Sequence, residues 1–201
     1  MANDEFIEKI FNDVIRFKPI EHKDNRGFFS EIYRDDIFSQ LGLGENYIQD
    51  NFSYSEKKYT VRGLHFQLPP KQQKKALKII SGRIWDIFID IRKSSPNYKQ
   101  YGYIEHGKDD GWLYIPDGYA HGFCTIEDKT ELIYKVDNYF DPELDKGINF
   151  LDPSFNIKWP CNQDQIIISD KDRNLPFLND IEELISFSYW GFDDKIQKIF
   201  N

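Results

Sequence analysis

Between residue 46 and about residue 160 the chain keeps one rhythm, and that rhythm restricts its fold more than any other feature. Short runs rich in Ile, Tyr, Phe and Val recur every eight to fifteen residues, separated by LPP, SG, SSPN, GKDDG and IPDG. Such Gly, Pro, Asn and Asp clusters turn a chain, and runs of this length are strands rather than helices. The pattern predicts an antiparallel sandwich or barrel. Its clearest strand is RIWDIFIDIR. Alternation puts Trp85, Ile87, Ile89 and Ile91 on one face and Asp86, Phe88 and Asp90 on the other. One apolar face, with carboxylates and a ring opposite, suits a barrel wall around a polar pocket. A plain sheet with a wet outer face is the alternative.

The flanks read differently. NDEFIEKIFNDVI spaces Phe6, Ile10 and Val14 four apart, with Ile7 and Phe11 beside them, which predicts a short amphipathic helix. RDDIFSQLG predicts another, with Asp35 as its cap and Gly42 as its end. After Pro160, QIIISDKD predicts a last strand running into a loop and NDIEELISF a helix. GFDDKIQKIF carries a helical stripe of Phe192, Ile196, Ile199 and Phe200. At 201 residues one domain, 1–201, accommodates all of this. It divides into a core over about 46–170, an N-terminal helix/strand segment over 1–45 and a C-terminal helical tail over 180–201.

Composition narrows the function classes. The longest apolar runs, ALKII and IWDIFIDI, fall well short of the roughly 18–20 residues of a membrane span. A net charge of −8 argues against a nucleic-acid scaffold, which needs surplus Lys and Arg. The opening MANDEFIEKIF is acidic where a secretory signal is basic, and Cys124 and Cys161 are too few and too far apart for a disulfide framework. A cytoplasmic, reduced setting is expected. Within this acidic chain KQQKKALK gathers four lysines in eight residues. They form either a basic pocket for a small anion or a strand edge that Lys keeps from pairing.

Four histidines are present: His22, His65, His106 and His121. A metal-binding jelly roll usually sets two His one residue apart on a strand, with a carboxylate and a distant His. Gly63 and Gln67 occupy the alternate positions around His65, and His121 stands alone, so that pattern is missing. Without a metal, an imidazole with an ordinary pKa near 6.5 is suited to proton transfer. It would need a carboxylate to fix its tautomer, a cation for a developing oxyanion and an acid on the other side. Spacing alone does not choose those partners, and a structural role for His65 fits the same residues.

Eight blocks in order carry a resemblance: DNRGFFSEIY, YIQDNFSYS, VRGLHFQLPPKQQKK, SGRIWDIFIDIRKSSPNY, LYIPDGYAHGF, ELIYKVDNYFDPE, INFLDPSFNIKWP and ISDKD. Over about residues 17–178 the chain resembles the dTDP-4-dehydrorhamnose 3,5-epimerases, which epimerise nucleotide-linked 4-keto-6-deoxy sugars. The resemblance implies an all-β, cupin-type double-stranded β-helix (jelly roll) with short flanking helices, without metal or cofactor, acting as a homodimer. It implies His65 as base, Asp172 as its partner, Lys75 beside the keto oxygen and Tyr134 as the acid on the opposite face. It implies further that Arg26, Glu31, Gln49, Asn51, Arg62, His121, Tyr139 and Lys171 hold the nucleotide sugar, several of them reaching into the neighbouring subunit's site.

The implied substrate is a dTDP-linked 4-keto-6-deoxyhexose, inverted at carbons 3 and 5. Inversion at one carbon, another nucleotide sugar, a 3,4-ketoisomerase and a non-catalytic carbohydrate-binding jelly roll are the alternatives. The chain has Phe66 where the family commonly has Tyr and Tyr119 where Phe is usual, which bears on substrate preference. On ideal strands Arg62 and His65 point to opposite faces, as do Tyr134 and Tyr139. A bulge or a strand end is therefore expected between the members of each pair.

Overall fold

A computed structural model describes residues 6–187. Its strands are β1 (Phe6–Phe11), β2 (Val14–Lys18), β3 (His22–Asp24), β4 (Gly27–Phe29), β5 (Gln49–Ser55), β6 (Val61–Gln67) and β7 (Lys75–Ser81). They continue as β8 (Arg83–Asp90), β9 (Tyr101–Gly107), β10 (Trp112–Ile115), β11 (Tyr119–Thr125), β12 (Thr130–Val136) and β13 (Asp145–Gly147). Short helices α1 (Asp35–Gln40), α2 (Asp170–Arg173) and α3 (Leu178–Ile181) complete the described chain. None of its helices is long and apolar enough to cross a membrane.

Two antiparallel sheets face each other, ordered β1-β2-β10-β7-β12-β5 and β13-β6-β11-β8-β9. From β5 to β12 the chain passes back and forth between them, except at the β8–β9 hairpin. Segments adjacent in sequence therefore end on opposite walls. Leu77, Ile79, Leu113, Ile115 and Leu132 of the first sheet meet Ile84, Phe88, Tyr119 and Phe123 of the second in one interior. Each fully buried side chain of this size contributes roughly 1.5–3 kcal/mol.

Both outer faces are covered as well. Phe38 of α1, with Leu43, closes the outside of the first sheet over Phe17, Ala76 and Trp112. The chain after β13 closes the second: Ile148, Phe150, Phe155, Ile166 and Leu178 pack on Trp85, Ile87 and Ile89. Strand β8 thus has the predicted split between its faces, with both sides dry. Asp86 and Asp90 are fully buried.

Helix α1 lies where it was predicted, with different capping. Its N-cap is Arg34, and Asp35 instead accepts hydrogen bonds from Tyr33 Oη and the Asn46 amide. Gly42, at φ +70°, ends it. Leu43 N–H reaches Phe38 O and Gly42 N–H reaches Ser39 O, a Schellman closure in which Phe38 and Leu43 join one cluster. NDIEELISF forms the single turn of α3 followed by a 3-10 turn over Glu182–Leu184.

Three expectations are corrected. Residues 6–18 form the β1–β2 hairpin, not a helix. A spacing of four is close to one helical turn, but it is also a multiple of the strand period, so Phe6 and Ile10 fit both, while Val14 falls beyond the turn on β2. Pairing of β2 with β10 decides for strand, and Asn12, at φ +47°, supplies the turn. QIIISDKD forms no full strand: Ile167 makes one isolated bridge to Thr60, and α2 follows. The ladder stops there because the rest of that edge of β6 is taken: Gly63 N–H by Asp172, Leu64 by Ile148, and His65 to Gln67 by β13. The lysine-rich β7 is not a sheet edge, for it runs between β10 and β12. In addition, Cys124 and Cys161, distant in sequence, come together on the outside of the second sheet as free thiols. The stripe Phe192–Phe200 lies outside the described residues.

Candidate active site

The interior opens at one end into a cavity of about 470 Å³. Inward positions of β6 and β11 supply His65 and His121 on one wall; those of β7 and β12 supply Lys75 and Tyr134 on the other. The ten-residue step from His65 to Lys75 is a crossing between sheets, and so is the step from His121 to Tyr134.

A bulge arranges the His65 wall. Opposite β11, Arg62 pairs with Phe123 and His65 with His121, so β6 carries one residue more than its partner. Arg62 and His65 consequently both line the cavity. Gly63 makes the bulge possible. Its φ is +115°, and a Cβ there would lie 2.6 Å from Gly122 Cα and 2.7 Å from His121 O. Tyr139 follows the end of β12 on the exposed rim, so a strand end separates it from Tyr134.

Asp172 lies in α2, whose N-cap Ser169 accepts a hydrogen bond from Asp172 N–H. One carboxylate oxygen is 3.0 Å from His65 Nε2, and the other accepts Gly63 N–H at 3.1 Å. Burial alone would raise this carboxyl; the bond from His65, helped by Gly63 and Ser169, brings it below its ordinary value. With Nε2 turned to Asp172, Nδ1 is the ring nitrogen free to accept a proton. The His65 side chain is 30 % exposed, open to the cavity without standing in solvent.

Lys75 Nζ donates to the His65 carbonyl at 3.3 Å. Burial pushes its ammonium down to about 8, while Asp145 and Asp86 act the other way. Burial also raises the Tyr134 phenol, so it holds its proton at neutral pH; Arg62 opposes that shift and Asp145 adds to it. The arrangement offers an oriented base and, across the gap, a cation and a proton donor. That is what proton transfer at a carbon next to a carbonyl requires.

Of the expected binding residues, Arg62, His121 and Lys171 also line the cavity. Gln49 and Asn51 lie on edge strand β5, hydrogen-bonded to each other at 2.8 Å; Gln49 also accepts the amide of Phe140, which lines the mouth. Arg26 and Glu31 are not brought to this cavity. Arg26 is exposed at the β3–β4 turn with Asp24, and Glu31 pairs with Arg34. Neither Phe66 nor Tyr119 lines the cavity. Phe66 packs in the outer cluster, and the Tyr119 hydroxyl is used by Asp13 and Arg92.

Sequence reasoning missed Ser169 and Asp145. Ser169 had a signal, a capping residue three before Asp172. Asp145 bonds Lys171 at 2.8 Å, and nothing local distinguishes it from other acids. Alternation puts Asp86 on the pocket face of β8 but gives it no partner; both its oxygens face His121 Nε2, at 2.9 and 3.0 Å.

Residues 8–180 match the family model described as dTDP-4-dehydrorhamnose 3,5-epimerase. A curated epimerase of that name from Shigella flexneri is 40% identical over 164 residues, covering 81% of this chain and 89% of its own length. The crystal structure of the Bacillus anthracis enzyme of that name, with TDP and PPi bound, is 40% identical with a TM-score of 0.79, over 85% of this chain and 99% of that one. The dTDP-6-deoxy-D-glucose-3,5-epimerase of Legionella pneumophila, in complex with dTDP-4-keto-L-rhamnose, gives a TM-score of 0.83 at 31% identity, over 92% and 100%.

Proposed function

The chain belongs to the dTDP-4-dehydrorhamnose 3,5-epimerase family, of cupin-type jelly-roll fold, and on that premise we propose that it inverts carbons 3 and 5 of dTDP-4-dehydro-6-deoxy-D-glucose, giving dTDP-4-dehydro-L-rhamnose. The ketone at carbon 4 acidifies the hydrogens on both neighbours, because the electrons left behind delocalise onto oxygen. His65 removes such a hydrogen through Nδ1, and Asp172 holds the ring and steadies the imidazolium that forms. Lys75 stabilises the enolate oxygen in a site where water is scarce and charge counts for more. Tyr134 returns a proton from the opposite wall, which produces the inversion. The observation that carries this reading is an oriented His–Asp pair on one sheet facing a buried Lys and Tyr on the other.

Arg62, His121 and Lys171 hold the diphosphate side of the substrate, and Gln49, Asn51 and Tyr139 its nucleoside at the rim. Arg26 and Glu31 serve the neighbouring subunit of a homodimer. In support, strands β3 and β4 are three residues each, and Phe28 and Phe29 are 64% and 67% exposed. A hairpin this small has too little to bury by itself.

In heavy water with the 4-keto sugar, deuterium should enter both carbons, and His65→Ala should abolish exchange at each. Label at one carbon only would make the protein a mono-epimerase. Fast exchange in the variant would reassign the base.

A further inference from the structure

Asp86 is fully buried on the inner face of β8, directly opposite Phe123 and diagonal to His121 on β11. A carboxylate in such a place is tolerated only when it is hydrogen-bonded or paired with a cation. Both of its oxygens face His121 Nε2, at 2.9 and 3.0 Å. We propose that Asp86 is a positioning residue of the site: it turns His121 so that Nδ1 faces the bound diphosphate. This rests on the role given above to His121.

The geometry makes the carboxylate specific. With Nε2–H donated to Asp86, the only ring nitrogen His121 can offer the cavity is Nδ1, so the ring is locked as a directed donor when charged. The other titratable groups around the cavity are Tyr54 of β5, Arg62 and His65 of β6, Lys75 of β7, Tyr134 of β12, Asp145 of β13, and Lys171 and Asp172 of α2. Of the two acids among them, Asp145 bonds Lys171 at 2.8 Å and Asp172 is committed to His65. On the neighbouring strand β9, burial lowers the His106 imidazole and Asp86 opposes that shift. Asp86 is thus the acid behind His121.

The test is Asp86→Asn, which keeps the shape and an oxygen for His121 while removing the charge. The dissociation constant for dTDP should rise on the order of tenfold. An Asp86→Asn protein that melts like the wild type and binds dTDP as tightly overturns the proposal. A carboxylate that only filled space would give that result. Should the variant not fold, nitrogen NMR of the wild-type His121 ring decides. A proton on Nε2 is expected throughout, and a neutral ring protonated on Nδ1 overturns the assignment. The NMR readout uses the free protein, so it stands or falls independently of which sugar is turned over.

Discussion

Lys75 is a strong base held where charge is costly, and its chemistry turns on that conflict. Burial lowers its ammonium to about 8, and only the cationic form can stabilise an enolate. A lysine carries its charge below its pKa, so turnover should fall as pH rises through about 8. A kcat profile measured from neutral to strongly alkaline pH checks this; a flat profile would remove the ammonium from the mechanism. Tyr134 presents the opposite case, for burial raises its phenol and secures the proton it is to give. Tyr134→Phe keeps the ring and deletes the proton. It should lose inversion by roughly a hundred- to ten-thousand-fold while keeping some deuterium exchange driven by His65. Unchanged turnover would exclude Tyr134 as the acid.

At the scale of elements, the extra residue in β6 does the positioning. It turns Arg62 and His65 into the same cavity and aims Gly63 N–H at the carboxylate that holds the imidazole. Gly63→Ala would push a methyl against Gly122 and the His121 carbonyl in a backbone conformation that alanine disfavours. Loss of about 2–3 kcal/mol in urea unfolding is expected, with kcat falling further than stability. Wild-type kinetics in that variant would show that the bulge does not set the dyad. The buried Arg92 works at the same scale. It joins Asp13 of the β1–β2 turn to Asp90 of β8 and to the Tyr119 hydroxyl, tying the terminal hairpin to the sandwich.

For the whole molecule, the exposed β3–β4 hairpin bears the proposed subunit contact. Sedimentation should report a particle of twice the 24.0 kDa chain mass. If Arg26 serves the neighbour's site, mixing Arg26→Ala and His65→Ala subunits rebuilds one intact site in each mixed dimer. Activity should then recover to about a quarter of wild type by random pairing of two-fold symmetric subunits. No recovery, in mixtures shown to exchange subunits, would return Arg26 to its own chain.

The sequence by itself determined the strand rhythm, the split faces of β8 and the family blocks, and with them the identity of His65, Lys75, Tyr134 and Asp172 as candidates. These are local signals: alternation, turn residues and short motifs survive in one dimension. It misread residues 6–18 because a spacing of four fits helix and strand alike, and the neighbour that decides, β10, lies about a hundred residues away. Only the tertiary structure could show that β7 is a central strand, that Cys124 meets Cys161, and that Asp86 stands behind His121. Each of those facts is a contact between segments that the chain brings together by crossing from sheet to sheet, and no local pattern records which wall a strand will join.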